Sequence, residues 1–486
     1  MPDRLTPLDL SFLYLEEPAT VMHVGSVMTF AAPAGGIDID RVLRHVAARI
    51  AFVPRYRQRL RSVPWRLANP VWVDDERFDV NYHVRRSALP RPGTDEQLRE
   101  LVARVQPRPL DRTRPLWEVY VVEGLAGDRF AVLTKAHQAL VDGVNAVDLA
   151  QVLLDDDPAA PEPVTDTWRP TPEPSLAELV AGAVMDVVRR PTQVLDAARA
   201  GLDDLRATAG KAVGVLGGVL GDALGGMASA ARIAARPAPD SPLNVEVCEH
   251  RRFAMVATDL ADYRAVRDFH ARGGRRRRPA AGTRITVNDV ALATVAGGLR
   301  AWLLTRGAPV TPTTVVRALV PVSVTADEPP EAGGVGTSVA SLIVDLPVGE
   351  PNPVLRLQQV AYQMTAHVES GRAVGARRIA DIGGFAPPTL HSLGARVASG
   401  LSRRLFNLVV TNVPGPQHPL YLAGARMLET YPVIPLARGQ GLAIGITSYD
   451  GGVYLGLNGD REGMRDIDVL AQCLTDALAE LRDTVR

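Results

Sequence analysis

The segment Asp155-Asp-Asp-Pro-Ala-Ala-Pro-Glu-Pro163 marks the end of a first domain. Prolines and carboxylates at that density are too polar to bury and poor at forming regular structure. A length of 486 residues already exceeds one ordinary core, and 46% hydrophobic residues are ample for two. Up to about Ala150, short helical patterns alternate with strand-like runs such as Pro70 to Val73 and Phe130 to Leu133. From about Val245 the mixture returns. Thr286 and Asn288 offer caps for a helix over 290–296, and strands are predicted over 339–346 and 407–412. A hairpin is predicted around Asp450-Gly451-Gly452, and a helix over 467–481.

Between these halves the pattern is helical. Ser175 with Glu178 makes a capping box for a helix that Pro191 ends, and a second helix follows with Val194, Leu195, Ala198, Leu202 and Leu205 on one face. The tract 210–236 then carries Gly214, Gly217, Gly218, Gly221, Gly225 and Gly226 among small apolar residues. Each helical glycine costs about 1 kcal/mol relative to alanine, so the tract needs a partner surface or stays partly unfolded. Two readings fit: an interdomain linker packed on the protein, or a lipid-surface contact. The resulting division is a first lobe over 1–165, a helical, Gly/Ala-rich linker over 166–244 and a second lobe over 245–486.

Charge and cysteine content narrow the function. With 54 basic and 54 acidic residues the net charge is zero, and nothing favours a nucleic-acid partner. The four arginines Arg275 to Arg278 read as a solvated loop or as an attractor for a lipid headgroup or coenzyme A phosphate. Cys248 and Cys473 offer neither a disulfide framework nor a metal cluster, which fits a reducing cytoplasm. The N-terminus lacks the pattern of a signal peptide, and no run approaches the roughly 20 apolar residues that span a bilayer. The expectation is a cytoplasmic protein whose lipid contact, if any, is peripheral, on the inner membrane face or on lipid inclusions. There is no Gly-x-Ser-x-Gly elbow, phosphate-binding Gly-Lys-Ser/Thr loop or zinc-type histidine spacing to support hydrolase, nucleotide-dependent or metallo-enzyme chemistry.

Chemistry concentrates in Lys135-Ala-His-Gln-Ala-Leu-Val-Asp-Gly143, which follows the apolar run Arg129 to Thr134. Its spacing, H-x-x-x-x-D-G, is one residue away from the acyl-transfer signature H-H-x-x-x-D-G, whose second histidine is the general base. Gln138 occupies that position. An amide can orient an alcohol or polarise a carbonyl but cannot take its proton, and losing a positioned base typically costs about 10² to 10⁴ in rate. Asp142 and Gly143 are suited to scaffolding, as an arginine partner and a residue free of Cβ constraint. His137 is either a hydrogen-bonded histidine that shapes the loop or a substitute base. The second role requires a bent chain, because adjacent side chains of extended backbone point to opposite faces.

Other segments resemble the bacterial wax ester synthase/diacylglycerol acyltransferase (WS/DGAT) family, in the family's order. They are Pro7 to Phe12, Met22-His-Val-Gly25, Arg114-Pro-Leu-Trp-Glu118, Glu123-Gly124, Thr286-Val-Asn-Asp-Val290, Arg317 to Ser323 and Val344 to Pro347. Asn407 to Pro416, Leu420 to Ala425 and Ser448-Tyr-Asp-Gly451 complete the set. Two positions depart from the pattern: Gln138, and Gly336-Thr337 where the family usually has Gly-Asn.

The resemblance implies an α/β fold of two chloramphenicol-acetyltransferase-like lobes, of the CoA-dependent acyltransferase type, joined by a helical linker. It is similar also to peptide-synthetase condensation domains, with the histidine motif on a tunnel between the lobes. It implies His137, Gln138, Asp142 and Gly143 as catalytic positions, acyl-CoA as co-substrate, and neither a bound cofactor nor a metal. By the same resemblance Asp142 should form a bidentate ion pair with an early arginine, Arg57 first and Arg59 second. Asn288 and Asp289 either support the site at the lobe interface or simply cap their helix. The implied reaction is transfer of a long-chain acyl group to diacylglycerol, or to a fatty alcohol. Two alternatives stand beside it: a lipid-binding or scaffolding protein impaired at Gln138, and an acyltransferase for an amine or carrier-bound acceptor.

Overall fold

The computed structural model describes residues 3–33, 35–141, 149–159, 166, 168–189, 237–271, 285–325, 337–369, 374–375 and 405–485. The predicted helix over 194–205, the glycine-rich tract, the four arginines, Asp142, Gly143 and Gly336 lie outside them.

Alternation sets the first half. Helices α1 (Pro7–Leu15), α2 (Ile39–Ile50), α3 (Val80–His83), α4 (Asp95–Val105), α5 (Gln138–Val141), α6 (Leu149–Leu153) and α7 (Leu176–Arg189) are interspersed with six strands. These are β1 (His23–Ala31), β2 (Gln58–Arg61), β3 (Val71–Asp74), β4 (Val84–Ala88), β5 (Trp117–Leu125) and β6 (Arg129–His137). Thr6 and Thr94 close capping boxes at α1 and α4, and Ser175 with Glu178 forms the one expected at α7. Every residue of β6 after Arg129 is buried, as befits a central strand covered on both faces.

The second half holds β7 (Arg251–Asp259), α8 (Leu260–Ala271), α9 (Val287–Thr305), β8 (Val316–Thr325), β9 (Thr337–Leu346), α10 (Pro353–Glu369) and β10 (Val374–Gly375). After them come β11 (Leu408–Pro414), β12 (Tyr421–Leu422), β13 (Ala425–Val433), β14 (Leu442–Tyr449), β15 (Gly452–Asp460) and α11 (Ile467–Asp483). The expected hairpin is β14–β15. Its turn residues Asp450 and Gly451 have φ of 42° and 86°, the left-handed geometry that a two-residue connection demands. Gly298 lets α9 lie against α11, since a Cβ there would sit 2.6 Å from Leu474 Cδ2 and 3.0 Å from its Cα.

Among the described residues two large sheets form beside the small β2-β3 pair, with two large hydrophobic clusters, the first of which also takes in Phe253, Tyr449 and Tyr454 from the second sheet. The first runs β12-β13-β1-β6-β5-β4 and the second β10-β9-β8-β11-β14-β15-β7. Strands β12 and β13 come from the second half of the sequence but complete the first sheet, with Gly25 opposite Val433 and Phe30 opposite Met427. β13 also packs across the second sheet at two glycines. A Cβ on Gly445 would meet Pro432 Cβ at 2.7 Å, and one on Gly456 would meet Pro432 O at 1.9 Å. Ion pairs Arg99–Asp468, at 3.1 Å, and Arg438–Glu17, at 3.0 Å, add surface links between the halves.

Candidate active site

Strand β6 delivers the histidine motif. Its last residue, His137, stands opposite His23 on β1, and the two imidazoles lie edge to face with centroids 6.1 Å apart. Both rings are buried. Helix α1 ends beside them, and its C-cap residue Glu16 places one carboxylate oxygen 3.3 Å from His23 Nε2 and the other 3.6 Å from His137 Nε2. Arg112 pairs with the same carboxylate from the surface side. Burial would raise the Glu16 carboxyl. The two histidines and Arg112 outweigh it and hold the group far below the ordinary carboxylate range.

The hydrogen bonds assign the protons. His137 Nδ1 lies 3.1 Å from the Ala139 backbone N–H, so it accepts there and the ring's proton sits on Nε2, facing Glu16. Neither nitrogen is left with a lone pair for an incoming alcohol. His23 Nδ1 lies 3.1 Å from the Gln106 carbonyl, which can only accept, so this nitrogen donates. Gln106 Nε2 returns a bond to the His23 carbonyl at 3.2 Å. Burial pushes the His23 imidazole below its ordinary pKa, against the pull of Glu16.

Gln138 opens α5, half-buried, and its backbone N–H donates to the Met22 carbonyl at 2.8 Å. The chain thus leaves β6 between a buried imidazole and an amide with partial access to solvent.

Beneath the histidines the same face of the sheet carries a second polar cluster. Lys135, fully buried, donates from Nζ to the carbonyls of Val105, at 3.2 Å, and Arg108, at the C-terminal end of α4. Glu118, its cross-strand partner, has Oε2 at 3.6 Å, accepts from Arg85 at 2.8 Å and from the Tyr120 hydroxyl at 2.8 Å. Burial pushes Lys135 from 10.5 down to about 8, Glu118 opposing. Between those pH values the unfolded chain holds a proton that the folded chain has lost, so stability rises with pH across the window. The expected gain is on the order of 3 kcal/mol. Tyr120, pushed up by burial and by Glu118, works the other way only above 10. Urea unfolding of the native protein at pH 8, 9 and 10 should show the rise, and Lys135→Met should abolish it.

The expected supporting residues that the structure describes have partners of their own. Arg57 is buried and forks onto Asp166, with Nη1 to Oδ1 at 3.1 Å and Nη2 to Oδ2 at 2.5 Å, its guanidinium 4.8 Å from the Trp168 ring. The expected Arg57–Asp142 pair is therefore not among the described contacts; the carboxylate that matches the fork comes from just after the proline-rich break. Arg59, the second choice, is paired with Glu173. Asp289 closes a capping box with Thr286 at the start of α9, and Asn288 Oδ1 accepts from Asn412 Nδ2 at 2.8 Å. Both sets of partners lie within the second half, and the three-residue spacing of Thr286 and Asp289 is itself a helix start. Burial raises the Asp289 carboxyl, the two bonds from Thr286 opposing.

Glu16 and Gln106 carry no motif signal of their own, and Glu118 closes the recognisable Arg114 to Glu118 segment. His23 lies in the recognisable Met22 to Gly25 segment, but only its pairing opposite His137 marks it as part of the site.

Residues 5–273 match the wax ester synthase/diacylglycerol acyltransferase catalytic domain, and residues 335–482 match the WS/DGAT C-terminal domain. A Mycobacterium tuberculosis protein named "Probable diacyglycerol O-acyltransferase tgs3" is 44% identical over 268 residues, 55% of this chain and 96% of its own length. The solved wax ester synthase/diacylglycerol acyltransferase from Marinobacter aquaeolei VT8 superimposes with a TM-score of 0.65 at 29% identity, covering 99% of both chains. The first condensation domain of the CDA synthetase aligns at a TM-score of 0.55 and 15% identity, over 100% of this chain and 97% of that one. At that identity the likeness concerns fold alone: two α/β lobes of the kind condensation domains share. By sequence and by architecture, the chain belongs to the wax ester synthase/diacylglycerol acyltransferase family.

Proposed function

We propose that this protein is an acyl-CoA-dependent O-acyltransferase that moves a long-chain acyl group onto diacylglycerol, with fatty alcohols as further acceptors. The acceptor oxygen attacks the thioester carbonyl, the carbon–sulfur bond breaks, and the hydroxyl proton leaves with the coenzyme A thiolate. Acyl-CoA and acceptor approach from opposite sides of a tunnel between chloramphenicol-acetyltransferase-like lobes and meet at Gln138. The carrying observation is the half-buried Gln138 at the end of β6, its backbone held by Met22, beside an imidazole whose Nδ1 accepts from the Ala139 N–H and whose Nε2 is turned to Glu16 at 3.6 Å. Gln138 orients the hydroxyl; His137 shapes the turn. Rate then comes from holding two reactants in register, which supplies a large part of the barrier reduction without a base. Asp142 and Gly143 complete the loop as scaffold.

A second reading, a lipid-binding scaffold of the same fold, draws on the same orientation of His137, whose Nδ1 lone pair is taken by the Ala139 N–H and whose Nε2 is turned to Glu16. Contact with a membrane or lipid droplet would be peripheral, since no helix among the described residues is long and apolar enough to cross a bilayer.

The test is direct. Purified protein is incubated with labelled long-chain acyl-CoA and diacylglycerol, and triacylglycerol is measured. Slow but enzyme-dependent ester formation is expected. Absence of any ester from diacylglycerol or fatty alcohol, in the native chain and in Gln138→His alike, would leave the scaffold.

A further inference from the structure

Three backbone and side-chain contacts converge on one carboxylate just behind the reacting position. Glu16 faces the Nε2 atoms of His23 and His137, at 3.3 and 3.6 Å, and its Oε1 accepts the Met22 N–H at 3.4 Å. Met22 in turn offers its carbonyl to the Gln138 N–H at 2.8 Å. The position of Gln138 therefore passes through Met22 to Glu16 along the backbone, and through His137 to Glu16 along the side chains.

We propose that Glu16 is the positioning residue for acyl transfer: its carboxylate accepts the Met22 N–H and stands against the Nε2 atoms of both strand-end imidazoles, and so fixes the turn that presents position 138. The inference rests on the O-acyltransferase reading. A carboxylate suits this place because both of its oxygens accept, one turned to the Met22 N–H and the other to the His137 Nε2–H. An amide of the same size has one accepting oxygen and an NH₂ group that would face a ring N–H. The carboxylate is itself held from two directions, by the end of α1 and by Arg112, whose Nη2 also reaches the Leu13 carbonyl at 3.3 Å. Glu16 touches no reacting atom. It acts through residues 22, 23 and 137.

The experiment compares Glu16→Gln, Glu16→Ala and Glu16→Asp, each in the native chain and with Gln138→His, using labelled acyl-CoA and diacylglycerol. A small displacement of a reacting group costs about 10²-fold in rate. Glu16→Ala should lower kcat by that order with KM for acyl-CoA unchanged, and Glu16→Asp, which keeps the charge, should recover part of it. Selective ¹⁵N-histidine labelling gives a readout independent of turnover: the imidazole resonances of His23 and His137 should both shift in Glu16→Gln. A folded Glu16→Ala protein with native kcat overturns the proposal, as do unshifted resonances in Glu16→Gln. Should Glu16→Ala fail to fold, the isosteric Gln variant decides by both measurements. Should neither the native nor the Gln138→His protein make ester, the functional reading fails by itself, and the resonances still decide the role of Glu16.

Discussion

Gln138→His should raise kcat for acyl transfer to diacylglycerol by about 10² to 10⁴, the range a positioned general base contributes. The site is prepared for it. The backbone at 138 is anchored by Met22, the preceding strand is buried on both faces, and the native side chain is half-buried rather than packed in a sealed core. An imidazole there replaces a group of similar length and brings a pKa near neutrality. The native protein should show little dependence of kcat on pH near neutrality, whereas the variant's rate should rise as the new imidazole loses its proton, around pH 6.5. Steady-state rates with labelled acyl-CoA across pH 5.5 to 8.5, a range set about that value, check both statements. An unchanged kcat would mean that the acceptor hydroxyl does not meet position 138.

A comparably large loss is expected from Gly25→Val. The Cβ of any larger residue at 25 would lie 1.9 Å from the Thr134 carbonyl oxygen and 2.8 Å from its carbon. These are backbone atoms of β6, held in the sheet by its neighbours, so no side chain can turn away to make room. Strand β1 would have to lift from β6 two residues from His23. Overpacking of this kind costs about 1–3 kcal/mol, occasionally more, and a backbone collision belongs at the upper end. Chemical unfolding should show the lost stability, and acyl transfer should fall with it because His23, Met22 and Glu16 move with the strand. Native stability in Gly25→Val would show that β1 and β6 do not approach as described.

Much of the local structure was legible in residue spacing. Ser175–Glu178 announces its helix start because a cap is satisfied within one turn; of the two caps offered for the later helix, Thr286 is the one used, and Asn288 lies inside the helix, which starts at Val287. Asp450-Gly451 announces its hairpin because only certain residues adopt positive φ readily. The motif around Gln138 was equally legible, since it sits in one contiguous run. Long-range partners were not. Arg57 has several carboxylates it could match by charge, and nothing local points to Asp166. Glu16 follows an apolar helix as many surface glutamates do.

The order of apolar, capping and turn residues determined two α/β halves and an acyl-transfer motif without its base, because those signals act over a few residues. Tertiary structure alone decided that β12 and β13 cross into the first sheet, and that Glu16 stands between two histidines. Such pairings join segments that chain entropy keeps apart until the sheets close and bury them, so no short-range pattern encodes them.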